Sequence, residues 1–215
     1  ISTGKTKAQS LGFSYFMPTH GYFSNPISPL NFGYTMGFKY LRIEPGISMY
    51  SIGGTSMTGF DDELDAKRPL VGPYQTIKAS LLPKIVIPAK KVQFDIMGGV
   101  FGFATLNTKL MHGNFDQMYT EAYDYQAVTS DLKYEKDAFG WGYVFGGKLS
   151  FKVMDNIWGY IEGKYYIGSQ NMPLSCDVTA ATEGHNVVNY RVDYPETALS
   201  FQGFEITIGG EMRKK

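Results

Sequence analysis

The stretch FGWGYVFGGKLSFKV, residues 139–153, is the clearest indication of the fold, because its side chains divide by parity into two chemically different sets. The bulky, apolar set is Phe139, Trp141, Tyr143, Phe145, Leu149, Phe151 and Val153. The small or basic set is Gly140, Gly142, Gly146, Lys148, Ser150 and Lys152. Successive side chains of a β-strand point to opposite faces. The stretch therefore predicts a strand that separates an apolar medium from a narrow polar interior.

The same period of two recurs along the chain and predicts eight strands, at about 6–16, 31–43, 47–58, 76–87, 91–105, 139–153, 157–168 and 198–212. Short turns near 44–46, 88–90 and 154–156 alternate with long polar segments near 17–30, 59–75, 106–137 and 169–197. An even number of strands with this alternation predicts a closed antiparallel up-and-down barrel with all long loops at one end.

One strand breaks the parity rule. In the fifth predicted strand, Phe101 and Phe103 lie on the opposite parity from Phe94 and Ile96. A β-bulge inserts one extra residue and reverses the faces that follow it. We therefore expect a bulge at Gly98-Gly99 that returns both phenylalanines to the apolar face.

Composition favours a sheet in an apolar medium. The 215 residues fit one barrel domain, 1–215, and aromatic residues make up 15% of the chain. Charged residues are 19% of the chain, against about 25% in ordinary soluble domains. The formal net charge of zero gives no reason to expect a nucleic-acid partner. Cys176 is the only cysteine, so neither an internal disulfide nor a cysteine cluster can form.

The polar face decides between lipid and water outside. A water-facing side would be dense in Lys, Glu and Asp, whereas here it is mainly Gly, Ser and Thr with isolated charges. We therefore expect an apolar face against lipid, although a soluble ligand-binding barrel with an apolar interior is the alternative. The predicted lipid-facing residues are Leu11, Phe13, Phe38, Trp141, Tyr143, Phe145, Phe151, Ile161 and Ile206.

The isolated charges on the polar face are expected to meet inside the barrel. Opposite signs predict a network of paired ions, because an unpaired buried charge is costly. Holding the barrel together is the predicted role of this network, and a proton or ion path is the alternative. Its predicted members are Lys39, Lys78, Lys84, Asp95, Lys148, Lys152, Glu162, Lys164 and Glu205.

The long loops carry the remaining candidate residues. His20, His112 and His185 fall in three different loops, so a shared catalytic or metal site would need those loops to converge. We predict neither a catalytic site nor a metal site nor a cofactor. Long ordered loops often carry binding functions, and the expected partner-facing loop residues are Asp61, Asp62, Tyr119, Tyr123 and Tyr125.

The segments FGWGYVFGGKLSFKVMDNIWGYIEGKYY (139–166) and FQGFEITIGGEMRKK (201–215) resemble the small eight-stranded outer-membrane β-barrels of the OmpX and OmpA transmembrane-domain type. The resemblance implies short periplasmic turns, four long extracellular loops and contact with the bilayer and lipopolysaccharide. It also implies the outer membrane of a Gram-negative bacterium, and because the chain opens without Met or a leader, we expect a mature product whose signal peptide has been removed.

The expected function is a non-enzymatic structural or accessory subunit. Its loops and outer wall would contact other envelope proteins within a larger outer-membrane complex. The alternatives are an enzyme acting on envelope lipid or peptide at the loop end, a small ligand-binding barrel and a small pore.

Overall fold

The computed structural model describes residues 6–22, 27–61, 64, 68–182 and 186–214. In chain order the elements are β1 (Thr6–Pro18), β2 (Gly21–Tyr22), β3 (Ile27–Gly37), β4 (Leu41–Ile52), β5 (Gly54–Thr55), β6 (Met57–Thr58), β7 (Tyr74–Pro88), β8 (Val92–Leu106), α1 (His112–Tyr123), β9 (Ala127–Tyr134), β10 (Gly140–Lys152), β11 (Ile157–Asn171), β12 (Leu174–Ala181), β13 (Val187–Tyr194) and β14 (Ala198–Lys214). In that part of the chain, no helix has both the length and the apolar character needed to cross a membrane.

The eight long strands form a closed antiparallel barrel in the order β1-β3-β4-β7-β8-β10-β11-β14. The ring is completed by β1 and β14, which pair from Lys7 opposite Lys214 to Pro18 opposite Gly203. Each barrel strand pairs with the barrel strands that come before and after it in the chain, so the connections run up and down around the ring. This confirms the predicted fold class.

The apolar parity faces outward. In β10, Trp141 is 64% exposed and Phe145 54% exposed, while Val144 and Lys148 between and beyond them are buried. The other residues predicted to face lipid are also exposed: Leu11, Phe13, Tyr143, Phe151, Ile161 and Ile206 on the strands, and Phe38 in the turn between β3 and β4. A soluble barrel would bury this set, so the apolar wall contradicts that alternative.

The first hairpin differs from its prediction. The chain reverses at residues 38–40, where the Phe38 amide donates to the Leu41 carbonyl at 2.8 Å, and the predicted turn at 44–46 is wrong. Gly37 has a φ of 147°, which an L-residue rarely adopts, so the turn follows the glycine. Glu44 and Pro45 lie inside β4, and Pro45 has no partner in the β3–β4 ladder.

The predicted bulge at Gly98-Gly99 is also wrong. The register of β8 against β10 is continuous across these glycines. Against β7 it is the same on both sides of them, with Leu81 opposite Val100 and Lys84 opposite Met97. Phe101 and Phe103 are therefore turned inward, and each is only 2% exposed. Bulky side chains move to the inward parity here because the interior of the barrel changes from polar to aromatic near its loop end.

The long loops fold into a cap over one end of the barrel. The strands β9, β12 and β13 form a separate antiparallel sheet with β12 in the middle. Helix α1 packs on one face of this sheet, where Phe115, Met118 and Tyr119 meet Cys176 and Val178 in a buried cluster. The cap closes the loop end of the barrel, and the sequence pattern did not predict it.

Candidate functional site

Nine alternating cations and carboxylates form a continuous ion-pair ladder through the barrel interior. We call the end of the barrel that carries the short turns the turn end. From the turn end towards the long loops, the ladder consists of Arg213, Glu211, Lys148, Glu44, Lys84, Glu162, Lys164, Glu205 and Lys78. Successive charged atoms lie between 2.5 Å, for Lys164 Nζ and Glu162 Oε1, and 3.9 Å, for Lys84 Nζ and Glu162 Oε2. All members except Arg213 are almost fully buried. Every buried charge of the ladder therefore has a partner of opposite sign.

Strand register brings the ladder together. Lys164 on β11 lies directly opposite Glu205 on β14, and Lys148 on β10 lies opposite Glu162 on β11. Inward side chains on neighbouring strands are close enough to interact, and an eight-stranded barrel is narrow enough for charges on facing strands to meet. Six of the eight links join residues far apart in sequence, and only Glu162–Lys164 and Glu211–Arg213 join residues two positions apart on one strand.

Glu205 is the most heavily bonded member of the ladder. Its carboxylate is 0% exposed and accepts from Lys78 at 2.6 Å and from Tyr166 at 3.2 Å. Tyr50 also donates to it, and the Lys164 ammonium lies 2.9 Å away. The Lys78 ammonium lies 3.7 Å from the centre of the Tyr166 ring, which adds a cation–π contact.

An aromatic plug closes the interior beyond Lys78. We define the plug as Phe16, Phe101, Phe103 and Phe201, each at most 2% exposed. Phe201 lies at the centre, 4.8 Å from both Phe16 and Phe103 and 5.4 Å from Phe101 between ring centroids. The interior thus holds paired charges towards the turn end and packed rings towards the loop end, and the two layers together obstruct the lumen.

Most of the predicted network residues lie in the lumen, but two of them, Lys39 and Lys152, do not. Asp95 is buried and accepts from Gln93 at 2.6 Å, outside the ladder. Lys39 and Lys152 are exposed at the turn end, because each lies where its strand ends, and the prediction for both is wrong. Lys152 pairs with Asp155 at 2.8 Å instead.

Sequence reasoning missed four charged residues of the interior, Arg42, Glu44, Glu211 and Arg213. Glu211 continues the inward parity of Glu205 and Thr207, so extending that pattern would have found it. Arg42 and Glu44 were hidden by the misplaced first turn. Arg213 stacks on Trp158, with 3.8 Å from its guanidinium carbon to the ring centroid, near the turn end.

The loop residues predicted to contact a partner differ in their exposure. Asp61 is exposed, whereas Asp62 and His185 lie outside the described residues. Tyr119 is 1% exposed and hydrogen-bonds the Tyr194 hydroxyl, so its prediction as a surface contact is wrong. It belongs to the core of the cap, where burial raises the pKa of Tyr194 to about 12. Tyr123 and Tyr125 are half-buried beside it.

The two described histidines make different contacts. His20 is exposed just after β1. His112 starts α1, and its Nδ1 lies 3.2 Å from the Ser130 carbonyl oxygen. Within the described ranges, no group of three or more His, Cys, Asp or Glu residues is arranged to hold a metal ion.

The outward face of the cap sheet is polar and partly grooved. Lys133 on β9 reaches Asp177 on β12 at 3.3 Å, and Arg191 pairs with Asp193 along β13 at 3.1 Å. A groove of about 430 Å³ crosses the end of this face. Its lining is Lys133, Tyr134, Glu135, Pro173, Leu174, Ser175, Asp193 and Pro195. We call these residues the cap groove.

Comparisons with known proteins bear on the fold. No family model matches the chain, and no curated protein matches it. Among solved structures, the chain is similar to the outer membrane protein OprG from Pseudomonas aeruginosa, with a TM-score of 0.57, 11% identity, and coverage of 99% of this chain and 97% of that one.

Two further solved structures are more distant. The E. coli outer membrane protein W gives a TM-score of 0.48 at 11% identity, covering 99% of this chain and 100% of that one. A major outer membrane protein from Thermus thermophilus gives 0.47 at 10% identity, covering 97% and 99%. The fold of this chain is that of the small eight-stranded β-barrels of bacterial outer membranes, with no subfamily identified.

Proposed function

We propose that this chain, as one unit over residues 1–215, is an integral barrel of the bacterial outer membrane that serves as a non-enzymatic structural or accessory subunit. Its cap would contact another envelope protein. The single observation that carries the proposal is an obstructed interior beneath a folded cap. Such a molecule offers its partners surfaces rather than a passage.

The outer wall supports membrane insertion. Side chains such as Phe13, at 67% exposure, and Ile208, at 60%, leave a large apolar surface in water. Soluble monomers rarely expose apolar patches of more than a few hundred Å², and lipid removes this penalty. The OprG-like fold supports the same environment. Bilayer lipid and lipopolysaccharide are therefore the proposed surroundings of the wall.

The interior argues against the pore alternative. The ladder leaves Lys84 and Lys148 at most 1% exposed, and a permeating ion would have to break these pairs. The plug then presents packed rings to any ion that passed the ladder. We expect no single-channel steps in planar bilayers, and steady open-channel currents from the wild-type protein would contradict the closed interior.

The cap groove and the edge of β13 are the proposed docking surface. In the described sheet, β13 pairs on one side only, with β12, so its other edge can accept an extended strand. Val187 on this edge is 62% exposed. Lys133 and Asp193 bring both signs of charge to the groove, which favours recognition of a polar partner over a purely apolar one.

Extraction of the native envelope in mild detergent, followed by sizing and mass spectrometry, tests this proposal. We expect the chain to co-migrate with one assembly in a fixed ratio. The double variant Lys133→Glu/Asp193→Lys should leave the barrel folded but release it as a detergent-bound monomer. Lys109→Glu, an exposed charge reversal outside the groove, is the matched control and should still co-migrate. A wild-type chain that always runs alone would contradict the accessory role.

The enzyme alternative has its own test. Purified wild-type protein should release no product from envelope lipids or peptidoglycan peptides. Hydrolysis that is lost in His20→Ala or His112→Ala would contradict the proposed non-enzymatic role.

A further inference from the structure

The turn end of the barrel carries an excess of positive charge that the zero net charge conceals. The exposed cations there are Lys7, Lys39, Lys90, Lys91, Lys152 and Lys214. Asp155 is the only exposed carboxylate among the described residues of this end, and it pairs with Lys152. Basic residues beside a bilayer attract anionic headgroups. The turn end therefore matches an anionic leaflet.

Two of these lysines oppose each other directly. Lys7 on β1 and Lys214 on β14 are cross-strand partners, and both point to the outer surface. Like charges directly opposite each other destabilise a sheet. No hydrogen bond or ion pair joins either ammonium to another residue in the described part of the chain. An anion held between the two would remove the repulsion.

A small cavity lies at this lysine pair. It has a volume of about 210 Å³ and is lined by Lys7, Ala8, Gln9, Tyr34, Met212 and Lys214. Lysine ammonium groups donate to anions, and the Gln amide and the Tyr hydroxyl add neutral donors. The lining thus suits a phosphate group.

An apolar groove continues from this cavity along the wall. Its volume is about 340 Å³, and it shares Gln9 and Met212 with the cavity. Its other lining residues are Ser10, Leu11, Phe32, Ile157, Gly210 and Glu211. The Glu211 carboxylate is 2.6 Å from both Lys148 Nζ and Arg213 Nε, so its charge is neutralised from inside the barrel.

Gly210 creates the hollow in this groove. A Cβ placed on Gly210 would meet nothing nearer than the Trp158 carbonyl oxygen, at 4.0 Å. Leu11, the cross-strand neighbour of Gly210, and Phe32, the neighbour of Leu11 on β3, form the sides of the hollow. An extended hydrocarbon chain fits an open apolar channel of this kind.

We propose that the β1–β14 seam binds one anionic phospholipid of the leaflet at the turn end. The phosphate lies between Lys7 and Lys214, and one acyl chain runs over Gly210. This inference rests on the membrane insertion proposed above and adds a specific lipid site to it. The adjoining apolar groove selects a lipid over a free phosphate ion, because a free ion would leave the groove unfilled.

Native mass spectrometry of the purified barrel in detergent tests the site with two lipids that share dioleoyl chains, phosphatidylglycerol and phosphatidylcholine. Each lysine beside an anionic headgroup contributes about a fivefold gain, so we expect phosphatidylglycerol to bind about 30-fold more tightly. Lys7→Gln/Lys214→Gln should abolish this preference. Lys90→Gln/Lys91→Gln removes the same charge from the β7–β8 turn on the far side of the barrel and should retain it.

A second pair of variants tests the acyl-chain groove. Gly210→Leu fills the hollow and should weaken phosphatidylglycerol binding at least tenfold, whereas Gly98→Leu on the far side of the barrel should not. A Cβ at Gly98 has similar space, with the Val144 carbonyl oxygen 3.7 Å away. Ten millimolar inorganic phosphate should not displace the lipid.

Three results would overturn the lipid site: equal binding of the two lipids to the wild type, an unchanged preference in Lys7→Gln/Lys214→Gln, or displacement by inorganic phosphate. Any of them would leave membrane insertion intact, because the protein would still carry a detergent belt. A wild-type protein that is monodisperse without detergent would overturn both the insertion and the lipid site.

Discussion

Substitution of Glu205 by Gln removes one charge from the most densely bonded point of the ion-pair ladder. The side chain keeps its shape and can still accept hydrogen bonds from Tyr50 and Tyr166. Lys78 and Lys164, however, lose the carboxylate that lies 2.6 Å and 2.9 Å from their ammonium groups. Removing one partner of a buried pair costs about 3–5 kcal/mol because it leaves an uncompensated charge. We expect a loss of this size in the free energy of unfolding.

Urea unfolding of the folded barrel in detergent, followed by tryptophan fluorescence, measures this loss. Trp141 is on the outer wall and Trp158 lies at the turn end, so the signal reports the barrel itself. Adding Lys78→Met to Glu205→Gln removes the stranded cation, while Lys164 keeps Glu162 at 2.5 Å. The double variant should therefore recover most of the stability.

The matched control is Glu121→Gln, which breaks a surface pair with Arg68 whose side chains are 55% and 37% exposed. Exposed pairs contribute about 0–1 kcal/mol, so this change should be small. A Glu205→Gln loss below about 1 kcal/mol, or a double variant no more stable than the single one, would contradict the role of Glu205 in pairing Lys78 and Lys164.

Two further predictions concern the plug and the cap. Phe201→Ala should cost about 3–5 kcal/mol in the same unfolding assay, because it empties the centre of a fully buried cluster; a change under about 1 kcal/mol would contradict the packed plug. Burial, with Asp116 and Asp177 nearby, raises the pKa of the Cys176 thiol to about 12. Maleimide at pH 8 should thus label only unfolded chains, and rapid labelling of the folded protein would contradict the buried thiol. The stability of the cap should also fall as the pH rises from the ordinary thiol pKa of about 8.5 towards 12, because the thiol loses its proton first in the unfolded chain.

The barrel could be predicted from the sequence because both of its environments impose a period of two. Lipid selects bulky apolar side chains on one parity, and the narrow interior selects small or paired polar ones on the other. The stretch 139–153 shows this clearly, and its strand in the structure is Gly140–Lys152. Where the interior becomes aromatic, as at Phe101 and Phe103, both faces of the strand carry apolar side chains, and the alternation no longer indicates which face is inward.

Local turn signals were less reliable than parity. Glu44-Pro45-Gly46 has the composition of a tight turn, yet it lies within β4. The Gly37 backbone sets the reversal earlier, and the register of β4 against β7 is then continuous from Leu41 to Ile52. Tertiary pairing overrode the local preference.

The order of pairing within the ladder and the fold of the cap lay beyond sequence reasoning for a different reason. Parity assigns Lys78 and Glu205 to the interior, but their contact spans 127 residues and depends on barrel closure. Likewise, Tyr119 and Tyr194 meet only because α1 packs on a sheet built from three separated segments. Polar loop composition predicts exposure, so the buried core of the cap remained hidden.

Spin-label accessibility along β10 in lipid bilayers measures directly whether the apolar wall faces lipid. Single labels at 141, 145 and 149, in a Cys176→Ser background, should be accessible to dissolved oxygen and protected from a water-soluble nickel complex. A label at exposed Asp193 on the cap should give the reverse. Free access of the nickel complex to positions 141, 145 and 149 would contradict the lipid-facing wall.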